Sequence, residues 1–167
     1  QEELDRLHRR QVTYPNDVER LKALLEERLA GRSPVIIFCE RMEVRDEEWR
    51  NAIEGYLNTQ RFDLLVAPEV FGEALRLYER EKKARGIEGV GLVDTEKERR
   101  YLGTARRGSL AEELETHDPL VQAHIDHLLG QVMKADDEAA LRAHRTAVTR
   151  TGMVYHNFVA RQLRKKT

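Results

Sequence analysis

The stretch IEGYLN at residues 53–58 has a counterpart in IDHLLG at residues 125–130. In both stretches an isoleucine, an acidic residue and a leucine precede a residue that favours the end of a helix, Asn58 in the first and Gly130 in the second. The elements predicted around the two stretches also follow in the same order. This repetition predicts two similar α/β subdomains within one chain.

Apolar spacing and turn residues define the elements of each copy. In the first copy they predict helix 47–57, strand 62–67, helix 68–85 and strand 89–94. In the second copy they predict helix 120–129, strand 131–135, helix 137–144 and strand 146–150. The apolar run VIIFC at residues 35–39 predicts a further buried strand before the first copy.

The two ends of the chain are rich in charged residues. A helix starting at Asn16 carries a stripe of leucines. This pattern indicates one helix of a coiled coil that leads into a globular domain. The basic C-terminal segment is compatible with a helix that leaves this domain. We therefore predict a mixed α/β (α+β) fold with the following segments: coiled-coil arm 1–33, subdomain 34–109 with a basic loop, subdomain 110–160, and returning arm 161–167.

Composition limits the classes of function. With 167 residues, 40% hydrophobic and 35% charged, the chain fits one domain or two small subdomains and is neither disordered nor a membrane protein. The net charge of -1 gives no overall attraction to nucleic acid. The single cysteine, Cys39, lies in the VIIFC run and is expected to be a packed core thiol. We expect a cytoplasmic protein with no membrane partner. Because Gln1 stands where an initiator methionine would be, we expect a piece of a longer protein.

Known catalytic and cofactor motifs are absent from the sequence. It contains no phosphate-binding loop, no dinucleotide fingerprint and no pair of cysteines for zinc. Glu47 and Glu48 are neighbours on a helix and point in different directions, and Ser109 has no base that the sequence can identify. We expect no catalytic residue and no cofactor.

Histidines and acidic residues near the second copy raise the question of a metal site. His124 and His127 are one helical turn apart and could share a metal ion, with His117 upstream. His124 also lies on an apolar helix stripe, so we expect a core histidine and no metal. Glu54 and Asp126, the acids of the repeated stretch, are expected to be solvated.

Two clusters of basic residues are candidates for contacts with DNA phosphates. The first is a window without acidic residues that contains Arg99, Arg100, Arg106 and Arg107. The second is the end of the chain, with Arg161, Arg164, Lys165 and Lys166. The alternative for both clusters is an ordinary solvated surface.

Three stretches resemble the hinge domain of SMC proteins, the family of condensin and cohesin ATPases. Residues 42–75 (MEVRDEEWRNAIEGYLNTQRFDLLVAPEVFGEAL) resemble the first half of that domain. HIDHLLGQVMKADDEAAL (124–141) and AVTRTGMV (147–154) resemble the second half. Within the family, EVRDEEWRNAIEGYL and TGMVYHNFVARQL look most like the MksB group of condensin-like proteins, which includes the JetC subunit of the bacterial Wadjet plasmid-defence complex.

The resemblance implies a domain that joins two copies of the chain, so that two coiled-coil arms enclose or extrude DNA. The ATPase heads and the contacts with other condensin-complex subunits would lie outside this segment, and the protein would be associated with the nucleoid. Many SMC hinges carry paired glycines at the dimer contact, whereas only one glycine stands at that place here. We therefore expect a dimer contact through an exposed strand edge formed by Gly152, Met153, Val154, Tyr155 and Phe158.

Two other functions stay open from the sequence. One is the hinge of a different SMC-like ATPase, which serves DNA repair or chromosome segregation. The other is an independent α/β enzyme or ligand-binding domain. An enzyme predicts a concave pocket with converging titratable groups. A hinge predicts no such pocket and places the two ends of the chain side by side.

Overall fold

A computed structural model describes residues 14–165 of the chain. The helices are α1 (Asn16–Leu29), α2 (Arg50–Leu57), α3 (Phe71–Arg85), α4 (Thr95–Glu98), α5 (Pro119–Leu129) and α6 (Glu138–Arg142). The strands are β1 (Ile36–Ile37), β2 (Glu43–Val44), β3 (Leu64–Leu65), β4 (Leu114–Glu115), β5 (Met133–Ala135), β6 (Thr146–Thr149), β7 (Met153–His156) and β8 (Val159–Gln162). The predicted mixed fold is confirmed. Among the described residues, every helix is too short or too polar to span a bilayer.

The strands form one four-stranded sheet and two small pairs. The larger sheet has the order β5-β6-β7-β8, in which β5 and β6 are parallel and the other neighbours are antiparallel. β1 pairs with β3 inside the first half of the chain. β2 pairs with β4, so a strand of the first half hydrogen-bonds to a strand of the second.

The repeated order of elements is present in the structure. In the second copy, β5, α6 and β6 form a parallel β-α-β unit. In the first copy, Leu64 of β3 forms a parallel bridge with Leu92 after α3, which is the same connection in a reduced form. The predicted strand 89–94 is thus reduced to one bridging residue.

The two repeated stretches end their helices by different physical means, at Asn58 and at Gly130. Asn58 has a positive φ of 53°, but its ψ of -127° lies outside the left-handed helical region that is expected of a helix stop. Gly130 has an ordinary right-handed φ of -67°. There a Cβ atom would lie 2.2 Å from the Asp126 carbonyl oxygen and 3.0 Å from Ala105 Cα, so glycine is needed for close approach.

Helix α1 packs against the first half of the chain. Its leucine stripe is fully buried in a core shared with β1, β3 and α3, through Leu21, Leu24, Leu25 and Leu29. The ion pair between Arg28 and Glu81 of α3, 2.6 Å long, flanks this core. The described part of the predicted arm is therefore packed on the domain. Its residues 1–13 lie outside the described range, and the division at residue 33 stays a prediction.

The chain leaves the domain as a strand. Arg161 and Gln162 belong to β8, so the returning helix expected from residue 161 does not begin there. Antiparallel pairing with β7 uses the backbone groups on one side of this strand. Beyond β8, Leu163 donates its N–H to the Gly152 carbonyl at 2.8 Å, and its side chain lies against Gly55 of α2.

Candidate functional site

The β7–β8 hairpin closes with a two-residue turn that is unusual in composition. Asn157 and Phe158 both have positive φ, 48° and 72°. Turns of this kind favour Asn-Gly, because glycine adopts positive φ without a steric penalty. A phenylalanine at the second position is strained by on the order of 1–3 kcal/mol.

One edge of the four-stranded sheet is open. The β5 edge is covered, because the Lys134 N–H donates to Gly108 at 2.9 Å and the Leu110 N–H donates to Val132 at 2.7 Å. No strand within residues 14–165 pairs with the outer side of β8, and all four of its residues are exposed. Phe158 is 90% exposed and Val159 is 53% exposed. The open edge therefore carries an apolar group at the hairpin tip.

The residues predicted to form an exposed strand edge occupy other places. β7 lies between β6 and β8, so the prediction of an edge at residues 153–155 is wrong. Val154 is buried in the core at 8% exposure, while Met153 and Tyr155 are half-buried beside a smaller core cluster. Gly152 is buried with a φ of +90°. Of the five predicted residues, only Phe158 presents a large exposed apolar surface.

The first basic cluster follows α4 as predicted, in a short 3-10 turn and a loop. Its four arginine side chains are exposed, and none forms an ion pair with the described residues (Arg99, Arg100, Arg106 and Arg107). The backbone of the loop is nevertheless fixed. The Gly103 N–H donates to Asp126 at 2.8 Å, and the Arg106 N–H donates to the Gly130 carbonyl at 2.9 Å.

Asp126 is the anchor of this loop. The side chain is buried and also accepts a hydrogen bond from Gln122 at 2.9 Å, so the expectation that Asp126 is solvated is wrong. The loop folds back over α5 and removes the carboxylate from solvent. In the second basic cluster Arg161, Arg164 and Lys165 are exposed, and Lys166 lies outside the described residues.

A second group of polar side chains converges beside the arginine loop. The Nδ1 atoms of His124 and His127 lie 2.5 Å and 2.7 Å from the same Glu98 oxygen, Oε2. The other ring nitrogen of His124 lies 2.9 Å from Asp63 Oδ2. Burial by itself lowers the pKa of His124, but the hydrogen bonds to Asp63 and Glu98 outweigh burial and raise it. The histidine expected in the core thus holds two buried carboxylates.

A cavity of about 360 Å³ is lined by this group together with Tyr101 and Arg100. The sequence drew attention to the two histidines, but Asp63 and Glu98 were missed. They are 61 and 26 residues away from His124, and no local pattern connects them. Folding alone brings the four side chains together.

The other residues considered for catalysis are ion-paired or buried, namely Glu47, Glu48 and Ser109. Glu47 accepts two hydrogen bonds from Arg50, at 2.7 and 2.8 Å, which lower the pKa of its carboxyl. Glu48 pairs instead with Arg150. Ser109 is fully buried, so its hydroxyl is closed to a substrate.

Comparison with solved structures identifies the fold. The hinge domain of the Geobacillus stearothermophilus SMC protein, described as an asymmetric dimer, matches with a TM-score of 0.67 and 19% identity over 99% of this chain and 72% of that chain. The Pyrococcus furiosus SMC hinge domain matches with a TM-score of 0.62 and 16% identity over 93% of this chain and 96% of that one. A Pyrococcus furiosus hinge with an extended coiled coil matches with a TM-score of 0.63 and 18% identity over 90% of this chain and 56% of that chain. No protein-family model and no curated protein matches the sequence. The chain therefore has the fold of SMC hinge domains.

Proposed function

We propose that this domain joins two copies of its chain, as the dimerisation hinge of an SMC-type ATPase, and has no catalytic role itself. The observation that carries the proposal is the open β8 edge with Phe158 at its tip. The hinge fold supports it, and one of the similar hinges is described as a dimer. The sequence-based assignment of the contact to the 152–158 region is kept, but its centre moves from β7 to β8.

The strain at Phe158 supports a contact role for this side chain. A φ of 72° favours glycine, so the ring is retained at a conformational cost. Burying a phenylalanine side chain stabilises by about 1.5–3 kcal/mol. In a two-fold symmetric dimer the same patch is used by both copies, so both rings contribute.

Replacing Phe158 by glycine tests the proposal without harming the fold. Glycine removes the ring and also relieves the positive φ, so the monomer should keep or gain stability. If each ring contributes about 1.5–3 kcal/mol through burial, its loss from both copies should raise the dimer dissociation constant by about 10²- to 10⁴-fold. Sedimentation velocity over a concentration series measures this change.

Leu102 offers a control, because it is an apolar residue that is 48% exposed and belongs to the arginine loop instead of the hairpin. The Leu102→Ser variant should dimerise like the unaltered protein. A chain that stays monomeric at about 100 μM would refute the proposal, as would an unchanged dimer in Phe158→Gly.

We also propose that the full chain is a condensin-like ATPase of the Wadjet type, which encloses and extrudes DNA in plasmid defence. The support is the resemblance of EVRDEEWRNAIEGYL and TGMVYHNFVARQL to the MksB group. Plasmid transformation of cells carrying the complete system is the test. The unaltered system should reduce transformation, and Phe158→Gly should restore it. Equal transformation with and without the unaltered system would contradict the assignment.

The arginine loop is the proposed DNA contact of the hinge. Its four exposed cations have no ion-pair partner among the described residues, so phosphates would not have to displace a carboxylate. The Arg106→Glu/Arg107→Glu variant should weaken DNA binding and lower the slope of log affinity against log salt by about 2. Mobility-shift titrations at several salt concentrations measure the slope.

The control carries the same change in charge on another exposed surface. Arg76 and Arg80 lie on α3, and their replacement by glutamate should leave the slope unchanged if the loop is the site. An equal effect of the two double variants would show that only the total charge matters.

A further inference from the structure

The group formed by Glu98, His124 and His127 has the composition of a metal site. Two imidazole nitrogens and one carboxylate oxygen from these side chains lie within 4.8 Å of one another. The two histidines come from successive turns of α5, and the carboxylate comes from the end of α4. Two histidines and one glutamate form a known ligand set for Zn²⁺, with the fourth position left to water.

Glu98 gives an independent indication of a missing ligand. The residue is only 7% exposed, and its second carboxylate oxygen, Oε1, is buried without a hydrogen-bond partner. A buried carboxylate oxygen without a partner is costly. The other oxygen, Oε2, lies 2.5 Å and 2.7 Å from the Nδ1 atoms of two imidazoles. Thus two imidazole nitrogens crowd one oxygen while its neighbour has none, and a cation bound at the carboxylate would remove both problems.

The surrounding residues already hold the ligands in place. The contact of Asp63 with His124 Nε2, at 2.9 Å, would direct the lone pair of Nδ1 toward Glu98. A carboxylate behind a histidine ligand is the usual outer partner in zinc sites. The ring of His127 stacks on Tyr101 with centroids 4.3 Å apart. The Phe38 ring lies edge-on to His124 at 4.5 Å.

We propose that Glu98, His124 and His127 bind one Zn²⁺ ion per chain, with Asp63 as the residue that orients His124. Tetrahedral ligands about 2.0–2.1 Å from zinc lie about 3.3 Å apart, so the Glu98 carboxylate swings outward on binding. The fourth position faces the cavity beside His127, whose side chain is 42% exposed. Ligands from both halves of the chain hold the ion, so it acts as a structural clamp at the base of the arginine loop. This role does not depend on dimerisation.

Zinc itself, added to chelator-treated protein, is the probe. We expect one equivalent to bind, and saturation at about 100 times the dissociation constant should raise the melting temperature by about 5–10 °C. Mg²⁺ should have no effect, because it prefers oxygen ligands. Cobalt(II) in the same site should give the strong visible absorption of tetrahedral coordination.

Three variants separate a built site from general histidine binding. His127→Gln removes a partly exposed ligand without opening the core, and it should abolish the stoichiometric uptake. Asp63→Asn keeps the shape of the side chain and should weaken binding by about 10- to 100-fold. His117→Gln is the control, since His117 is exposed and outside the group, and it should bind like the unaltered protein.

The proposal fails if zinc at about 100 μM neither binds stoichiometrically nor shifts the melting temperature. It also fails if the His127→Gln variant still takes up one equivalent of zinc. It fails likewise if His117→Gln reduces zinc uptake as much as His127→Gln does. These outcomes are independent of the oligomeric state measured for Phe158→Gly. A failure of one proposal therefore leaves the other standing.

Discussion

Replacing Leu25 by alanine tests whether helix α1 is part of the folded domain. Leu25 is fully buried against the first half of the chain, in the core that includes α3. Loss of a buried leucine side chain costs its transfer free energy and leaves a cavity, which together amount to about 3 kcal/mol. For a domain of this size the loss should lower the melting temperature by about 6–12 °C.

Trp49 provides the assay, because it is the single tryptophan and is only 2% exposed. Its fluorescence should follow urea unfolding of the core. The matched control is Leu75→Ala, the same chemical change at a position that is 48% exposed, which should change stability by no more than about 0.5 kcal/mol. If Leu25→Ala were as mild as Leu75→Ala, α1 would be a free arm and the packing described above would be refuted.

Three further predictions concern single side chains. Burial and, less strongly, Glu40 raise the pKa of Cys39 to about 11, so at pH 8 iodoacetamide should react about 100-fold more slowly than with a thiol of pKa 9. Asp126→Ala should release the Gly103 amide and speed its hydrogen exchange by about tenfold; unchanged protection would contradict its anchoring role. Gly130→Ala should destabilise the domain by about 1–3 kcal/mol in urea unfolding, because a Cβ would meet backbone atoms at 2.2 and 3.0 Å.

Local patterns predicted the helices and the repeat well. The leucine stripe of α1 and the apolar stripes of α2 and α5 recur at helical spacing, and burial follows them in the structure. The order helix, strand, helix, strand was likewise readable in both copies. These features depend on residues a few positions apart, which is the range that sequence periodicity covers.

The position of the sheet edge was not readable, because the turn that creates β8 lacks the usual signal. A glycine after Asn157 would have indicated a tight hairpin. Phe158 stands there instead, so the sequence pattern predicts a helix for the basic segment beyond it. Local spacing also missed the burial of Asp126, since it results from a loop that returns over α5. The site around His124 depends on carboxylates from distant segments.

The pairing of β2 with β4 also affects how the chain can fold as it is synthesised. In this strand pair Glu43 and Val44 lie opposite Glu115 and Leu114, which stand more than two-thirds of the way along the chain. The β-α-β unit and hairpin of the second half use contacts that are much closer in sequence. Contacts of long sequence separation form late because they close large loops. The first half should therefore remain incomplete on the ribosome until the second half has emerged.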